Sequence, residues 1–208
     1  MPEPHTVLVL RKEPSGESFL KLHLLGPELG CVLCLRRVSS KKQSHKAAPD
    51  LFDTAEVQLD AAKTGTAQFV GDYQVTRRRS DIGLSYRALR YASDFSNLLI
   101  ANGSHMADLH LLHQLAEKSM DAFAAQLEPS VVYLKSVYLL LKDEGYPVRE
   151  SWWPQIPERQ RSTIRELLSK PSPRSISPEI RESCEAAIKN LLHWLRRESD
   201  FTLPNEIL

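Results

Sequence analysis

Residues 29–46 read LGCVLCLRRVSSKKQSHK, an apolar, partly β-branched segment that runs into a series of cations. No Asp or Glu lies between Cys31 and Lys46, and serine, glutamine and histidine residues separate the cations. This composition predicts a strand that ends in a polar turn. A cationic loop at the end of a strand suits a phosphodiester backbone, which presents a row of negative charges. A solvated hairpin tip that is basic by chance is the alternative.

On both sides of this stretch, short segments with strand patterns alternate with turn signals such as Pro14-Ser15-Gly16 and Gly26-Pro27. In the second of them, Lys21 and His23 share one face and Leu22 and Leu24 the other, as period 2 requires. Several short strands at this spacing predict a small closed or half-closed barrel. The predicted strands are His5–Arg11, Glu17–Leu25, Leu29–Val38, Leu51–Ala61 and Gln68–Thr76, with a bulge expected at Gly71.

At Ser80-Asp81 the apolar period changes from 2 to 3.6, and either residue can cap a helix that closes at Asn102-Gly103. The following predicted helices are Asp108–Leu127, Ser130–Lys142, Glu158–Ser169 and Ser177–Arg197. We expect the adjacent Trp152 and Trp153 to seal apolar surface, because two indoles are costly to leave in water. The expected class is α+β, with a barrel in residues 1–80 and an all-helical domain in residues 81–208.

Hydrophobic residues form 42% of the 208-residue chain and charged residues 25%, which is ordinary for a globular protein with a core. The formal net charge is +1, so the whole molecule attracts no polyanion. Residues 1–80 hold 12 Lys/Arg and 9 Asp/Glu, and residues 81–208 hold 15 and 17, which gives +3 and −2. Anion binding is therefore expected in local patches of the first part. We recognise no signal peptide or membrane span and expect a cytoplasmic protein.

A nucleic-acid site needs cations for phosphates and, for single strands, flat side chains on which bases stack. The candidate cations are Arg36, Arg37, Lys41, Lys42, Lys46, Arg77, Arg78, Arg79, Arg11 and Lys21. Phe52, Phe69 and Tyr73 are possible stacking platforms, but a small barrel needs large side chains inside, and we expect them in the core. The arginine triplet has the alternative role of capping the junction with Asp81 or Asp94.

The third predicted helix offers a second candidate site. Lys135, Tyr138 and Lys142 lie at i, i+3 and i+7 and so share a face, beside an apolar face with Leu134 and Leu141. A cationic groove with an aromatic edge suits an acidic peptide that ends in an apolar residue. The alternative is that both lysines are solvated and the tyrosine packs against its neighbours.

Metal and redox chemistry find little support in the sequence. Cys31 and Cys34 have CxxC spacing, but positions i and i+3 of a strand face opposite sides, and no second pair of ligands exists. We expect Cys31 and Cys34 to be core thiols, and all three cysteines, Cys184 included, to be reduced. His110 and His113 share a helix face without a third ligand, and we expect surface histidines. The chain has no Walker A loop, dinucleotide glycine pattern, HExxH or nucleophile elbow, so we expect neither a cofactor nor an enzyme.

The order of elements resembles the bacterial RecO family of recombination mediators. Val7–Ser18 (VLVLRKEPSGES) is similar to that family's first strand and its Gly-Glu-Ser entry to strand 2, and Leu29–Lys42 to its third strand and basic loop. Tyr91–Phe95 (YASDF) resembles the first helix after the barrel. Val132–Val148 (VYLKSVYLLLKDEGYPV) resembles a helix that ends in Gly-Tyr-x-Pro, with Pro147 one place early. The resemblance spans essentially the whole chain.

The resemblance implies an OB-fold barrel that binds single-stranded DNA, and a helical domain that binds the acidic C-terminal tail of the single-stranded-DNA-binding protein and a RecR-like partner. It implies a cytoplasmic, nucleoid-associated protein of DNA repair. The sequence departs from many members at Trp152–Pro157, where they carry a four-cysteine zinc module. An OB-fold adaptor that has lost DNA binding, and an RNA-binding barrel, are the alternative interpretations.

Overall fold

The structure is a computed structural model that describes residues 3–38, 48–61 and 68–204. Its first part is a closed barrel of five strands in the order β1-β2-β3-β5-β4. The strands are β1 His5–Ser15, β2 Phe19–Gly26, β3 Gly30–Arg37, β4 Thr54–Ala61 and β5 Gln68–Arg77. Only β3 and β5 pair in parallel, and β1 pairs with β4 to close the barrel. This is OB-fold topology, and the expected class of a barrel followed by helices is confirmed.

Alternate side chains along each strand point into the barrel and fill its interior. Leu22, Leu24 and Cys34 point inward, as do Val7 and Val9, and all five belong to one buried cluster. Between Val9 and Arg11 the register with β2 shifts by one residue. The shift is a bulge, and it keeps Arg11 opposite His23 on the outer side of the sheet. The bulge expected at Gly71 is also present, because Val57 pairs with Tyr73 and Leu59 with Val70.

Two predicted strand boundaries differ from the structure by three residues or more. Strand β1 continues through Pro14, which pairs with Leu20, and the chain turns only at Gly16, whose φ is +64°. Strand β4 begins at Thr54 rather than Leu51, because Phe52 has a φ of +64° and its N–H donates to the carbonyl of Val9 at 2.8 Å. The first difference arises within the β1–β2 hairpin, whereas the second depends on a contact between residues distant in sequence.

The second part consists of helices. They are α1 Tyr86–Asn102, α2 Leu109–Ala124, α3 Pro129–Asp143, α4 Glu158–Ser169 and α5 Pro178–Glu198. The expected cap of the first helix at Ser80 or Asp81 is wrong: Ser80–Leu84 forms a 3₁₀ turn, and Ser85 caps α1 through its hydroxyl, which accepts from the N–H of Ala88 at 3.3 Å. A π-helical turn, Val148–Trp152, and a 3₁₀ turn, Trp153–Gln155, separate α3 from α4.

The chain forms two compact units, residues 1–80 with 108–117 and residues 81–107 with 118–208. In the first unit, hereafter the barrel unit, the start of α2 packs on the barrel, and Leu109 lies against Gly30. The second, hereafter the helical unit, has a core in which Phe95, Phe123 and Leu141 are fully buried. Within the described residues, no helix has both the length and the apolar character needed to cross a bilayer.

Candidate nucleic-acid interface

The outer side of β1, β2 and β3 forms a continuous surface, hereafter the outer face. Residues directly opposite each other in paired strands share a side of the sheet. The pairings place Arg11 beside His23 and Leu33, Glu13 beside Lys21 and Leu35, and Ser15 beside Phe19 and Arg37. On β5, Phe69 pairs with Leu35 and joins the same surface. The outer face therefore combines three predicted cations with aromatic and leucine side chains.

Charge on the outer face is positive but partly balanced. Glu13 forms an ion pair with Arg11, and its other oxygen lies 3.9 Å from the Nζ of Lys21. The side chains of Arg11 and Lys21 are 46% and 40% exposed, so both can still reach a phosphate. Arg37 is exposed at the end of β3. Asp60 of β4 pairs with Phe69 and so lies on the same side of the sheet. Among the residues named here the three cations thus face two carboxylates, and the surplus lies toward Arg37.

Flat and apolar side chains lie between these cations. The rings of Phe19 and Phe69 are half-buried and tilted, with centroids 6.0 Å apart. Leu33 is 51% exposed, which is unusual for a leucine in mid-strand. Burial lowers the pKa of His23, and the nearby Arg11 and Lys21 lower it further against the opposing effect of Glu13. The His23 ring is therefore mostly neutral near pH 7 and is suited to stacking.

Arg36 does not share this surface. It pairs with Leu20, which packs on the barrel core, so its side chain leaves β3 on the opposite side from Arg37. Its guanidinium lies 4.8 Å from the centroid of the Tyr73 ring, a cation–π contact. Nη1 is buried and has no hydrogen-bond partner among the described residues. Burial lowers the pKa of Arg36. The predicted pair Arg36-Arg37 thus divides between the two sides of the strand.

The arginine triplet is largely structural. Arg78 donates through Nε and Nη2 to the two carboxylate oxygens of Asp53, at 3.2 and 3.0 Å, and Asp53 is fully buried. Arg79 is 3% exposed; it pairs with Glu117 of α2 at 2.6 Å and donates to the carbonyl of Phe52 at 2.7 Å. Arg79 is therefore not available to a polyanion, whereas the side chain of Arg78 is 43% exposed and its charge is offset by Asp53. Arg78 and Arg79 thus form ion pairs with Asp53 and Glu117, whereas the sequence suggested Asp81 or Asp94 as partners of the triplet. Arg77 is exposed at the end of β5.

Two of the three possible stacking platforms are core residues, as expected. Phe52 is 2% exposed and Tyr73 3%. The Tyr73 hydroxyl donates to Asp53 at 3.1 Å, and burial together with this carboxylate raises the Tyr73 pKa. Only Phe69 lies on the outer face. Lys41, Lys42 and Lys46 lie outside the described residues.

A second candidate site lies in the helical unit, in a pocket of about 390 Å³ hereafter called the Tyr138 pocket. Its lining is aromatic and cationic: Tyr138, Arg149, Trp153, Arg165, Leu168 and Ser169. The guanidinium of Arg165 lies 5.7 Å from the centroid of the Trp153 ring. A hydrogen bond with Tyr138 raises the pKa of Arg149. Neither arginine forms an ion pair with a carboxylate of the described residues, so their charge is available to a ligand.

The three residues predicted as a site on α3, like the arginines of the barrel, do not share one surface. Tyr138 lines the pocket, whereas Lys135 donates to the backbone carbonyl of Lys170, and burial lowers the Lys135 pKa. Lys142 is exposed and does not line the pocket. The pocket's cations come instead from Arg149 and Arg165, which the sequence did not indicate. The adjacent tryptophans Trp152 and Trp153 were the available signal in the sequence, since Trp153 lines the pocket and lies close to Arg165.

The thiols of Cys34 and Cys184 are buried, and that of Cys31 is half-buried. Burial raises the pKa of Cys31 and of Cys34 to about 11, and that of Cys184 to about 12. All three are free cysteines, and Cys34 lies in the barrel core. Among the described residues, no group of three His, Cys, Asp or Glu side chains is arranged to hold a metal ion.

Comparison of the sequence with models of known protein families found no match, and comparison with curated proteins found none either. Assignment of function therefore depends on the fold, on the two candidate sites and on the residues that resemble the RecO family.

Proposed function

We propose that the protein is a DNA repair and recombination mediator of the RecO type, which acts in the bacterial cytoplasm at the nucleoid. The observation that supports this most is the outer face, on which Lys21 and Arg37 flank the half-buried Phe19 and Phe69 rings. OB-folds bind oligonucleotides on the surface of strands 2 and 3 and on adjoining loops. The outer face covers those strands, and the basic residues Lys41, Lys42 and Lys46 follow β3 directly in sequence.

In this mechanism, cations bind phosphates while Phe19, Phe69 and His23 stack on bases, so binding has little sequence preference. The protein binds the single-stranded-DNA-binding protein and its strand together, loosens that coat, and lets the recombinase load or complementary strands anneal. A RecR-like protein is the expected partner in loading. The steps named here are binding and exchange, which require neither a cofactor nor covalent chemistry from this chain.

The Tyr138 pocket is the proposed site for the acidic tail of the single-stranded-DNA-binding protein. Arg149 and Arg165 would bind carboxylates of the tail, and Trp153, Leu168 and the ring of Tyr138 would hold its apolar end. The volume of about 390 Å³ lies within the range of ligand pockets, roughly 300–1,000 Å³, and accommodates one large side chain with its backbone.

The test of the barrel site is the double charge reversal Lys21→Glu/Arg37→Glu, measured by fluorescence anisotropy with a labelled single strand at several salt concentrations. We expect affinity to fall at least tenfold, and the slope of log K against log salt to become shallower by about 1.4, because each single-strand phosphate contact contributes about 0.7. Lys118→Glu/Arg196→Glu, at exposed positions of the helical unit, is the matched control. Unchanged affinity and slope in the outer-face variant would refute this site.

The pocket is tested with a fluorescent acidic peptide that ends in an apolar aromatic residue. Arg149→Glu and Arg165→Glu should each weaken binding at least tenfold, since a carboxylate then meets a like charge. Arg159→Glu is the control, because Arg159 is exposed on the same helix as Arg165 but does not line the pocket. Equal losses in all three variants would indicate a general charge effect and would exclude the pocket as the site.

The second candidate function is an OB-fold protein-interaction adaptor with little DNA binding. The pairing of Arg78 and Arg79 with carboxylates, and the balance of Arg11 and Lys21 by Glu13, favour it. Peptide binding without single-strand binding would establish this alternative. Competition between DNA and RNA oligonucleotides would separate the mediator from an RNA-binding barrel.

A further inference from the structure

A larger pocket, of about 520 Å³, lies in the helical unit and is lined by side chains of α1, α3 and α5. Its walls include Tyr91, Tyr133, Arg90, Lys189, Ile188 and Leu192. It shares no lining residue with the Tyr138 pocket. Neither the sequence patterns nor the proposed mediator function gives this pocket a role.

The first indication of a ligand is Tyr133. This side chain lines the pocket, yet it is only 1% exposed, and its hydroxyl has no hydrogen-bond partner among the described residues. Burial raises its pKa, so the hydroxyl keeps its proton and is available as a donor. Buried polar groups are nearly always paired, because an unpaired one destabilises the fold. An unpaired phenol in a pocket wall is therefore a position where a ligand's acceptor would restore the missing hydrogen bond.

The second indication is the combination of flat and apolar surface in the same walls. The rings of Tyr91 and Tyr133 lie 5.1 Å apart at 37°. Ile188 and Leu192 contribute apolar side chains from α5. Aromatic and aliphatic walls of this kind favour a planar ring, which gains both stacking and burial.

The third indication is the charge at the pocket. Arg87 is already held by Glu128 at 3.0 Å and by Glu185 at 3.1 Å. By contrast, Lys189 is exposed and forms no ion pair with a described residue, and Arg90 is 59% exposed and only loosely paired with Asp94 at 3.7 Å. Asp94 and Glu185 also line the pocket, so its three cations exceed its two carboxylates by one. Lys189 and Arg90 are the cations that remain available to an anionic group of a ligand whose ring lies beside the tyrosines.

We propose that this pocket binds a small organic anion built on a planar heteroaromatic ring, of the nucleoside monophosphate class. The ring would lie against Tyr91 and accept a hydrogen bond at its edge from the Tyr133 hydroxyl, and the phosphate would pair with Lys189 and Arg90. A single ring with a carboxylate would leave much of the 520 Å³ unfilled, whereas a base, a sugar and a phosphate together occupy it. The same chemistry is presented by a free nucleotide and by the 5′-phosphorylated end of a single strand.

The test is isothermal titration of the full chain with dAMP and with its two halves, deoxyadenosine and inorganic phosphate. We expect dAMP to bind, and each half to bind at least tenfold more weakly, because ring and anion contribute together. Competition of dAMP with a 5′-phosphorylated and an unphosphorylated oligonucleotide then identifies the source. Displacement by the phosphorylated strand alone indicates a strand end, and no displacement by either indicates a free nucleotide.

Two substitutions make the proposal specific. Tyr133→Phe removes only the hydroxyl, so dAMP should bind several-fold more weakly while the melting temperature of the free protein stays the same or rises. A merely structural hydroxyl would give the opposite, a lower melting temperature with unchanged dAMP affinity. Lys189→Glu should weaken dAMP binding at least tenfold, whereas Lys118→Glu, the same change at an exposed position away from the pocket, should leave it unchanged.

The proposal is overturned if dAMP gives no binding at millimolar concentration, or if Tyr133→Phe and Lys189→Glu bind it as tightly as the wild type. The outcome of the dAMP experiments can be distinguished from the outcome for single-strand binding by the barrel. The Lys21→Glu/Arg37→Glu variant should lose single-strand binding and retain dAMP binding, so failure at one site does not imply failure at the other.

Discussion

Two groups of arginines in the barrel unit look alike in sequence and differ in the structure. Arg36-Arg37 ends β3, and Arg77-Arg78-Arg79 ends β5. Arg37 is exposed on the outer face, whereas Arg79 is buried against Glu117 and Arg78 forms an ion pair with the buried Asp53. The difference shows that a run of cations in a sequence indicates how much charge is present, but not whether that charge is free to bind a ligand. Availability depends on which carboxylates the fold brings within hydrogen-bond distance.

The substitution with the largest expected effect is Arg79→Ala, which tests whether Arg79 is a structural residue. The change leaves the carboxylate of Glu117 and the carbonyl of Phe52 without their partner in a buried site, and loss of one member of a buried pair costs about 3–5 kcal/mol. We expect that loss in the free energy of unfolding, measured by urea denaturation. Arg37→Ala is the control and should change stability by less than about 0.5 kcal/mol. Equal stability of the two variants would show that Arg79 is not structural.

A smaller effect is expected at the partner of Arg78. Asp53→Asn keeps the shape of the side chain but removes the charge that accepts from Arg78, from Tyr73 and from the N–H of Asp50. Because an amide cannot accept at both positions, we expect a loss of about 2 kcal/mol of unfolding free energy. Tyr73→Phe removes one of these hydrogen bonds and should cost about 1 kcal/mol. A larger loss in Tyr73→Phe than in Asp53→Asn would contradict this ranking.

The smallest effect concerns pH and His113, which lies on α2 near Glu117 and Arg79. Burial lowers the His113 pKa below 6.5, the opposing effect of Glu117 is smaller, and His110 and Arg79 lower the pKa further. The unfolded chain therefore binds the proton more tightly, and this histidine contributes stability above pH 6.5 that is lost as the pH falls below it.

His113→Gln should thus flatten the dependence of unfolding free energy on pH between about 5 and 7. His110→Gln is the matched control, because His110 is exposed on the same helix. Unfolding curves at four pH values would measure both slopes. If the two variants and the wild type share one slope, His113 titrates as it does in the unfolded chain.

Local patterns in the sequence predicted the barrel, the number and order of its strands, the bulge at Gly71 and the approximate extent of the helices. Those features depend on neighbours within a few residues, through alternation, helical period and turn residues. Lys21 and Arg37 could also be assigned to one side of the sheet once β2 and β3 were paired, since Phe19 lies opposite Arg37. The same two-residue period placed Cys31 and Cys34 on opposite sides of their strand, and the structure has Cys34 buried and Cys31 half-buried.

Only the tertiary structure decided which charged groups remain available. Arg79 meets Glu117 across 38 positions of sequence, and Lys135 meets the carbonyl of Lys170 across 35. Arg149 and Arg165 face the same pocket although they belong to different elements. Coulomb attraction and desolvation depend on distance and burial in space, and a sequence pattern records neither. The sequence by itself therefore determined where strands and helices form, and the packing of distant residues determined which of their charges can bind a ligand.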